Sequence, residues 1–174
     1  MNTQYLRGAR VQLSPFKKKH FTRIYISWLN DQKVVKFSEQ RHQRHTKKSC
    51  ITYIKRKNSK LFAIELHNSL HIGNISVHKN TANKTADIGI LIGEKKEWGK
   101  GYGTEALGLV LKMLLQDRAI RKITAGSMAE NKSMIKIAHA CGMHVEAIVP
   151  KFFLWKKKEI DLVLMAKYNA RFKK

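Results

Sequence analysis

From Trp98 to Glu105 the chain reads Trp-Gly-Lys-Gly-Tyr-Gly-Thr-Glu, with glycines at every second position between an apolar strand-like run and an apolar helical one. Gly99, Gly101 and Gly103 permit backbone conformations that a Cβ forbids, so successive N–H groups can turn inward on an anion at the start of the following helix. The chemistry this suits is the cradling of phosphate. Two common phosphate loops do not fit. A mononucleotide P-loop needs four residues between its glycines and a Gly-Lys-Ser/Thr ending, whereas Lys100 lies between glycines and no such ending follows. The dinucleotide fingerprint needs Gly-x-Gly-x-x-Gly near the start of a βαβ unit, but this turn follows several strand-like segments and runs Gly-x-Gly-x-Gly.

Two carboxylates stand close to this loop in sequence. Asp87 begins the strand that leads into it, and Glu94 lies just before it. Either can accept a proton, and either also reads as an ion-pair partner in so basic a chain. His71 and His78 flank a strand and titrate near neutrality, but a lone histidine is more often a surface or core residue, and neither is read as catalytic. Asn131 follows a strand and opens a helix, where its position reads as an N-cap. Cys50 and Cys141 are far apart and have no metal-ligand partners at short spacing, so no metal site is expected and a reducing compartment is.

The elements that must position these groups follow from periodicity. Arg10 to Ser14 alternates as a first strand closed by Pro15, and a helical region carries Ile24, Trp28 and Leu29. A second helix is capped by Thr46 or Ser49, places Ile51 and Ile54 on one face and ends near Asn58. Leu61–Leu66 and Ile72–Val77 read as antiparallel strands about an Asn68-Ser69 turn, and Asn80–Lys84 as the next turn. After the strand from Asp87 and the glycine loop, Thr104–Arg118 has apolar residues at helical spacing, with Gly103 or Thr104 as cap. Lys122–Met128 is a strand, and Ser133–Cys141 a helix ended by Gly142. Val145–Trp155 and Ile160–Lys167 form a hairpin about Lys156–Glu159.

At 174 residues and 43% hydrophobic content, one domain spanning 1–174 with its own core is expected. No run of 18 apolar residues and no N-terminal leader is visible, which predicts a soluble, cytoplasmic protein. Thirty-five Lys and Arg against 12 Asp and Glu give a net charge of +23. The basic residues are scattered, as on a solvated surface, yet their field attracts nucleotide-linked compounds and repels polycations such as spermidine.

The loop Trp98-Gly99-Lys100-Gly101-Tyr102-Gly103 resembles the Arg/Gln-x-x-Gly-x-Gly/Ala signature of the GCN5-related N-acetyltransferases, the GNAT superfamily. Trp98 stands in the place of Arg or Gln, as in the branch resembling ribosomal-protein N-terminal and amino-sugar acetyltransferases. Asp87–Ile92 looks like the family's fourth strand and Lys122–Ser127 like its fifth. Asn131-Lys-Ser133 and Cys141-Gly-Met143 look like its Asn-x-x-Ser/Ala and Gly-Phe landmarks. The resemblance implies an α/β (α+β) fold, with a single mixed, mostly antiparallel central sheet, flanking helices, and splayed fourth and fifth strands. It implies acetyl-coenzyme A as cosubstrate and no metal. The pyrophosphate would lie on Trp98, Gly99, Lys100, Gly101, Tyr102, Gly103 and Thr104, the pantetheine arm along Leu91 and Ile92, and Asn131 against the coenzyme.

A neutral amine would attack the thioester directly, with no covalent enzyme intermediate and a fourth-strand amide as donor to the oxyanion. Asp87 is the first candidate base, at the separation from Gly101 at which the histone-acetylating branch carries a Glu; being shorter, it would act through water. Glu94 is the second. Where many members have a tyrosine that protonates the departing thiolate, this chain has Ala138, leaving Tyr102, Tyr53, water or no acid.

Trp28-Leu29-Asn30-Asp31, Val35 and Phe37–Arg41 look similar to acetyltransferases of nucleotide-linked amino sugars in surface-glycan synthesis, with Arg41 and Trp28 as substrate-binding candidates. This implies a small, anionic amine acceptor. A protein N-terminal acetyltransferase of ribosomal-protein type is the alternative enzyme, and a non-catalytic nucleic-acid-binding module the alternative of another class. The partner expectations are a small-molecule amine, nucleic acid or ribosome through the basic surface, no membrane span, and a monomer or homodimer.

Overall fold

The structure, a computed structural model, describes residues 5–54 and 59–173, without the side chains of Tyr53 and Ile54. In chain order the elements are β1 (Leu6–Arg7), β2 (Val11–Pro15), α1 (Arg23–Asn30), α2 (Lys47–Ile54), β3 (Ser59–Leu66), β4 (His71–Asn80) and β5 (Thr85–Ile92), then α3 (Tyr102–Gln116), β6 (Lys122–Met128), α4 (Lys132–Ala140), β7 (His144–Trp155) and β8 (Lys158–Tyr168). The strands form one eight-stranded sheet in the order β1-β2-β3-β4-β5-β6-β8-β7. Every neighbouring pair is antiparallel except β5 with β6. The segments resembling the family's fourth and fifth strands are therefore β5 and β6, because Leu6–Arg7 adds a short strand against Gln12 and Leu13.

Alternation along the strands serves two cores. Leu13, Ile64, Ile75, Ala86, Ile88 and Ile123 point to one face, where Ala106, Leu107, Val110, Leu111 and Leu114 of α3 cover them. Leu61, Ala63 and Leu91 point to the other, beneath Tyr25, Trp28 and Leu29 of α1 and Cys50 of α2. The sheet is thus sandwiched, with α3 and α4 on one side and α1 and α2 on the other.

Several sequence expectations are corrected. Helix α3 starts two residues early and its cap is Gly101, in the left-handed region at φ +83°, rather than Gly103 or Thr104. The side chain that α2 buries is Cys50, while Ile51 is 36% exposed; Asn58 and the side chain of Ile54 lie outside the described residues. The last hairpin turns on Lys156 and Lys157 alone, since Trp155 already pairs with Lys158. Gly142 does end α4, at φ +75°. No helix among the described residues is long and apolar enough to cross a membrane.

Candidate functional site

The glycine loop owes its shape to a few anchors. Gly99 and Gly101 both have positive φ, +75° and +83°, conformations that L side chains adopt at a cost. The first helical hydrogen bond runs from Glu105 N–H to Gly101 O at 3.2 Å. The amides that open α3 ahead of this bond have no intrahelical acceptor. They cluster at the positive end of a 15-residue helix, an arrangement that holds an anion without any side chain. Trp98, 44% exposed, donates its indole N–H to Ile92 O at 2.8 Å, tying the loop to the end of β5. Lys100 bonds Glu97 at 2.9 Å, which raises its pKa, and its ammonium stays in solvent beside the loop.

Sequence reasoning missed the residue that pins this loop from below. Arg10 donates from Nη1 to Lys100 O at 2.9 Å, lies over the Tyr102 ring at 5.0 Å, and pairs through Nε with Glu105 Oε2 at 3.0 Å. Glu105 Oε1 also accepts the backbone N–H groups of Arg10 and Val11 at 2.7 and 3.2 Å. Burial pushes the Glu105 carboxyl up, but these donors outweigh it and hold the pKa below the ordinary carboxylate value.

Strands β5 and β6 pair only at Thr85↔Lys122, Ala86↔Ile123 and Asp87↔Thr124. Beyond that register β5 continues with β4 as far as Ile92, and β6 with β8 as far as Met128. A wedge opens between them. Alternate residues of a strand direct their N–H and C=O to each side, so part of the Ile88–Ile92 backbone faces this wedge without a strand partner. Asp87 stands at its vertex, between His78 of β4 and Thr124 of β6 in register. Thr124 Oγ1 donates to Asp87 Oδ1 at 2.8 Å. The residue reaches the surface, yet desolvation by the flanking strands raises its carboxyl pKa, with the Thr124 hydroxyl and then His78 opposing.

On the α1–α2 side of β4 and β5 lies a cavity of about 570 Å³. Its polar lining includes Ser38, Gln40, Gln43, Ser49, Thr52 and Asn74, with Lys48 as its cation; no Asp or Glu lines it among the described residues. The Ser38–Thr46 segment that walls it is pinned by Asn30, the last residue of α1. Asn30 Oδ1 accepts His45 N–H at 2.8 Å and its Nδ2 donates to His45 O at 2.9 Å. The adjacent Asp31 carboxylate pairs with Lys95, just past β5, and that hydrogen bond lowers its pKa.

The remaining sequence candidates fall as follows. Leu91 lines the cavity and packs against the α1–α2 core, while Ile92 turns to the α3 side. Gly103 is buried where α3 meets Ile137 of α4. Thr104 O accepts the Cys141 thiol at 3.4 Å. Asn131 caps α4, its Oδ1 accepting Met134 N–H at 3.2 Å. Glu94 caps the short turn 95–97 through Lys96 N–H at 3.3 Å and lies away from the wedge vertex. Trp28 is a core residue whose ring fills the space that a side chain at Gly93 would need. Arg41 turns inward, 5% exposed, bonding Ser38 O at 2.9 Å and Glu39 Oε1 at 2.7 Å, so it braces the wall rather than lining the cavity. The cavity-lining Asn74 carried no sequence signal beyond membership of a strand.

Solved structures share this arrangement. An acetyltransferase of the GNAT family from Bacillus anthracis is 21% identical, with a TM-score of 0.82 over 95% of this chain and 99% of its own. A spermidine N-acetyltransferase from Vibrio cholerae, solved with coenzyme A and spermine, is 16% identical, with a TM-score of 0.82 over 94% of this chain and 98% of its own. A ribosomal L7/L12 α-N-protein acetyltransferase in complex with coenzyme A is 14% identical, with a TM-score of 0.82 over 95% and 98%. These likenesses establish the fold. The family model of the acetyltransferase (GNAT) domain matches residues 10–144, which holds Arg10, the wedge, the glycine loop and Asn131 alike. The chain belongs to the GNAT family and is an N-acetyltransferase.

Proposed function

We propose that the protein transfers acetyl from acetyl-coenzyme A to the primary amine of a nucleotide-linked amino sugar of the kind used in surface-glycan synthesis. The observation that carries this reading is the meeting of two openings at β5: an amide cradle with a wedge on one side, and on the other a cavity with no carboxylate among its described lining residues. The cradle suits the coenzyme's pyrophosphate, with Trp98, Gly99, Lys100, Gly101, Tyr102, Gly103 and Thr104 around it and Asn131 nearby; the wedge suits the extended thiol arm along Leu91 and Ile92. The cavity offers hydroxyls, amides and one lysine, which match a polyhydroxylated anionic acceptor. A polyamine would require carboxylates, and none lines the cavity among the described residues.

In the reaction the amine nitrogen bonds to the thioester carbon, a wedge-facing amide of β5 donates to the oxyanion, and the C–S bond then breaks to release the thiolate. The amine's proton passes through water to Asp87. From Leu91 to Asp87 is about 13 Å along the strand, so direct contact with both is excluded. Gly89 lies between them on the same face and lines the cavity beside Ser76. Ala138, fully buried, offers no acid to the thiolate, which takes its proton from solvent.

Calorimetric titration with acetyl-coenzyme A tests the cosubstrate, with Gly101→Trp as control; micromolar binding lost in the variant is expected. Coenzyme A release then compares UDP-glucosamine, spermidine and a ribosomal-protein N-terminal peptide. Turnover of UDP-glucosamine at least about tenfold above spermidine is expected from the sign of the cavity. Preference for the peptide would favour the N-terminal reading, to which the +23 charge also lends support through attraction to an RNA-rich particle.

A further inference from the structure

We infer that the side-chain oxygen of Asn74 accepts an N–H from the acceptor's reactive amine, making Asn74 the residue that orients this amine for attack. The inference rests on the acceptor reading above. Asn74 faces Leu91 across the β4–β5 pair and lines the cavity where it borders the last residues of β5. Its Oδ1 is buried and takes no hydrogen bond from the protein; among the described residues it is the one buried side-chain acceptor in that condition. An unmet buried acceptor costs stability, and its position on the cavity lining makes a bound donor the partner that would satisfy it. Of the polar groups nearby, the Ser76 hydroxyl donates to Gly89 O at 3.3 Å, and His45 Nε2 is held by Gln40 O at 3.0 Å.

The chemistry explains why an amide rather than a carboxylate stands there. A carboxylate in the cavity would hold the acceptor as ammonium, which has no lone pair to attack with. An amide oxygen binds one N–H of the neutral amine and leaves the lone pair free to meet the thioester carbon. As the N–C bond forms, the nitrogen gains positive charge and its N–H becomes a stronger donor, so the contact tightens toward the transition state. Asn74 cannot take the proton. The second N–H loses it to water, past Gly89 toward Asp87.

Asn74→Leu keeps the side-chain size and removes the acceptor. With acetyl-coenzyme A and UDP-glucosamine, the expected result is a fall in kcat of about a hundredfold with KM changed less than about threefold. Acetyl-coenzyme A affinity stays unchanged by calorimetry, and Tm is equal to or above that of the wild type. Asn74→Asp should move the acid limb of kcat/KM to higher pH, because the new carboxylate favours the ammonium. Retention of kcat in Asn74→Leu within about threefold would overturn the inference, as would a Tm lowered by several degrees, which would show that the amide has a structural partner. Acetyl-coenzyme A binding without turnover of UDP-glucosamine counts against the acceptor class instead. The Tm of Asn74→Leu then decides for Asn74: raised or equal sustains an unmet acceptor awaiting a ligand, lowered refutes it.

Discussion

Thr124 Oγ1 and Asp87 Oδ1 meet at 2.8 Å at the point where β5 and β6 part, so the carboxyl with the raised pKa stands at the closed end of the wedge. Desolvation raises it and the Thr124 hydroxyl holds it down. As a base Asp87 must be ionised, so activity should fall as pH drops through a pKa above the ordinary carboxylate value. Asp87→Asn should lower kcat by about two orders of magnitude and remove that limb, with acetyl-coenzyme A affinity unchanged. Thr124→Val should shift the limb to higher pH, because it deletes the bond that favours the ionised form. The raised pKa also makes ionised Asp87 a cost to the fold that grows as pH rises, so Asp87→Asn should be no less stable than the wild type at pH 8. pH–rate profiles and thermal melts of the two variants check these outcomes.

The loop conformation yields a second expectation. Gly101 sits at φ +83°, and a Cβ there would come within 3.3 Å of Arg10 Nη2. Gly101→Ala should cost roughly 1–2 kcal/mol in backbone strain and displace Arg10 from Lys100 O, weakening acetyl-coenzyme A binding by about tenfold. Arg10→Ala should give a smaller loss, since the loop amides remain but lose their brace. Calorimetry distinguishes them: an affinity unaffected in both variants would mean that the cradle does not carry the anion.

How much of this was legible in the sequence follows from the range of each interaction. The glycine loop, α3, β6 and the turn at Gly142 depend on neighbouring residues, and periodicity and turn chemistry locate them. Asp87 could be singled out by its spacing, but Thr124 could not be foreseen as its partner, since that requires the parallel register of two strands 37 residues apart. The Arg10–Glu105 brace joins residues 95 apart, and Glu105 reads in sequence as an ordinary acidic residue in a helix's first turn. Arg41 attracted a ligand role because cations at loops suit phosphates; the fold instead turns its Nη1 onto the turn that carries it and leaves its buried Nε without a partner. Asn74 is visible only once the cavity is.

A buried ionisable cluster beneath α1 predicts acid lability. Burial, then the like charge of His20, lowers the His71 pKa from 6.5 to about 4; its Nε2 bonds Gly73 O at 2.8 Å. Burial likewise lowers His20, against the raising effect of Glu65. Glu65 is pushed up by burial, but Ser14, Lys19 and His20 outweigh this and hold it low. A histidine kept neutral by the fold supports it fully above pH 6.5, and that support is lost as pH falls from 6.5 toward about 4. The lowered Glu65 loses its contribution in the same direction on further acidification. His71 alone should remove on the order of 3 kcal/mol across its window. Urea midpoints at pH 7 and 4.5 read the loss, and His71→Phe should be weaker at pH 7 but flatter with pH.

The β7–β8 turn carries a cost of its own. Lys156 and Lys157 both have positive φ, 50° and 62°, in a two-residue connection of the kind that favours Asn-Gly. Two adjacent lysines there combine backbone strain with like-charge repulsion. Replacing them by Lys156→Asn and Lys157→Gly should stabilise the protein by roughly 1–2 kcal/mol, raising Tm by several degrees. The turn also lies close to the cavity wall. Lys156 lies 5.1 Å over Trp155, whose ring stands 6.1 Å from Phe37, beside the cavity wall at Ser38. If these lysines draw a diphosphate toward the cavity, the stabilised double variant should show a higher KM for UDP-glucosamine, most evident at low salt, with kcat unchanged. A raised Tm with KM unaltered at low salt would assign the turn no part in acceptor capture.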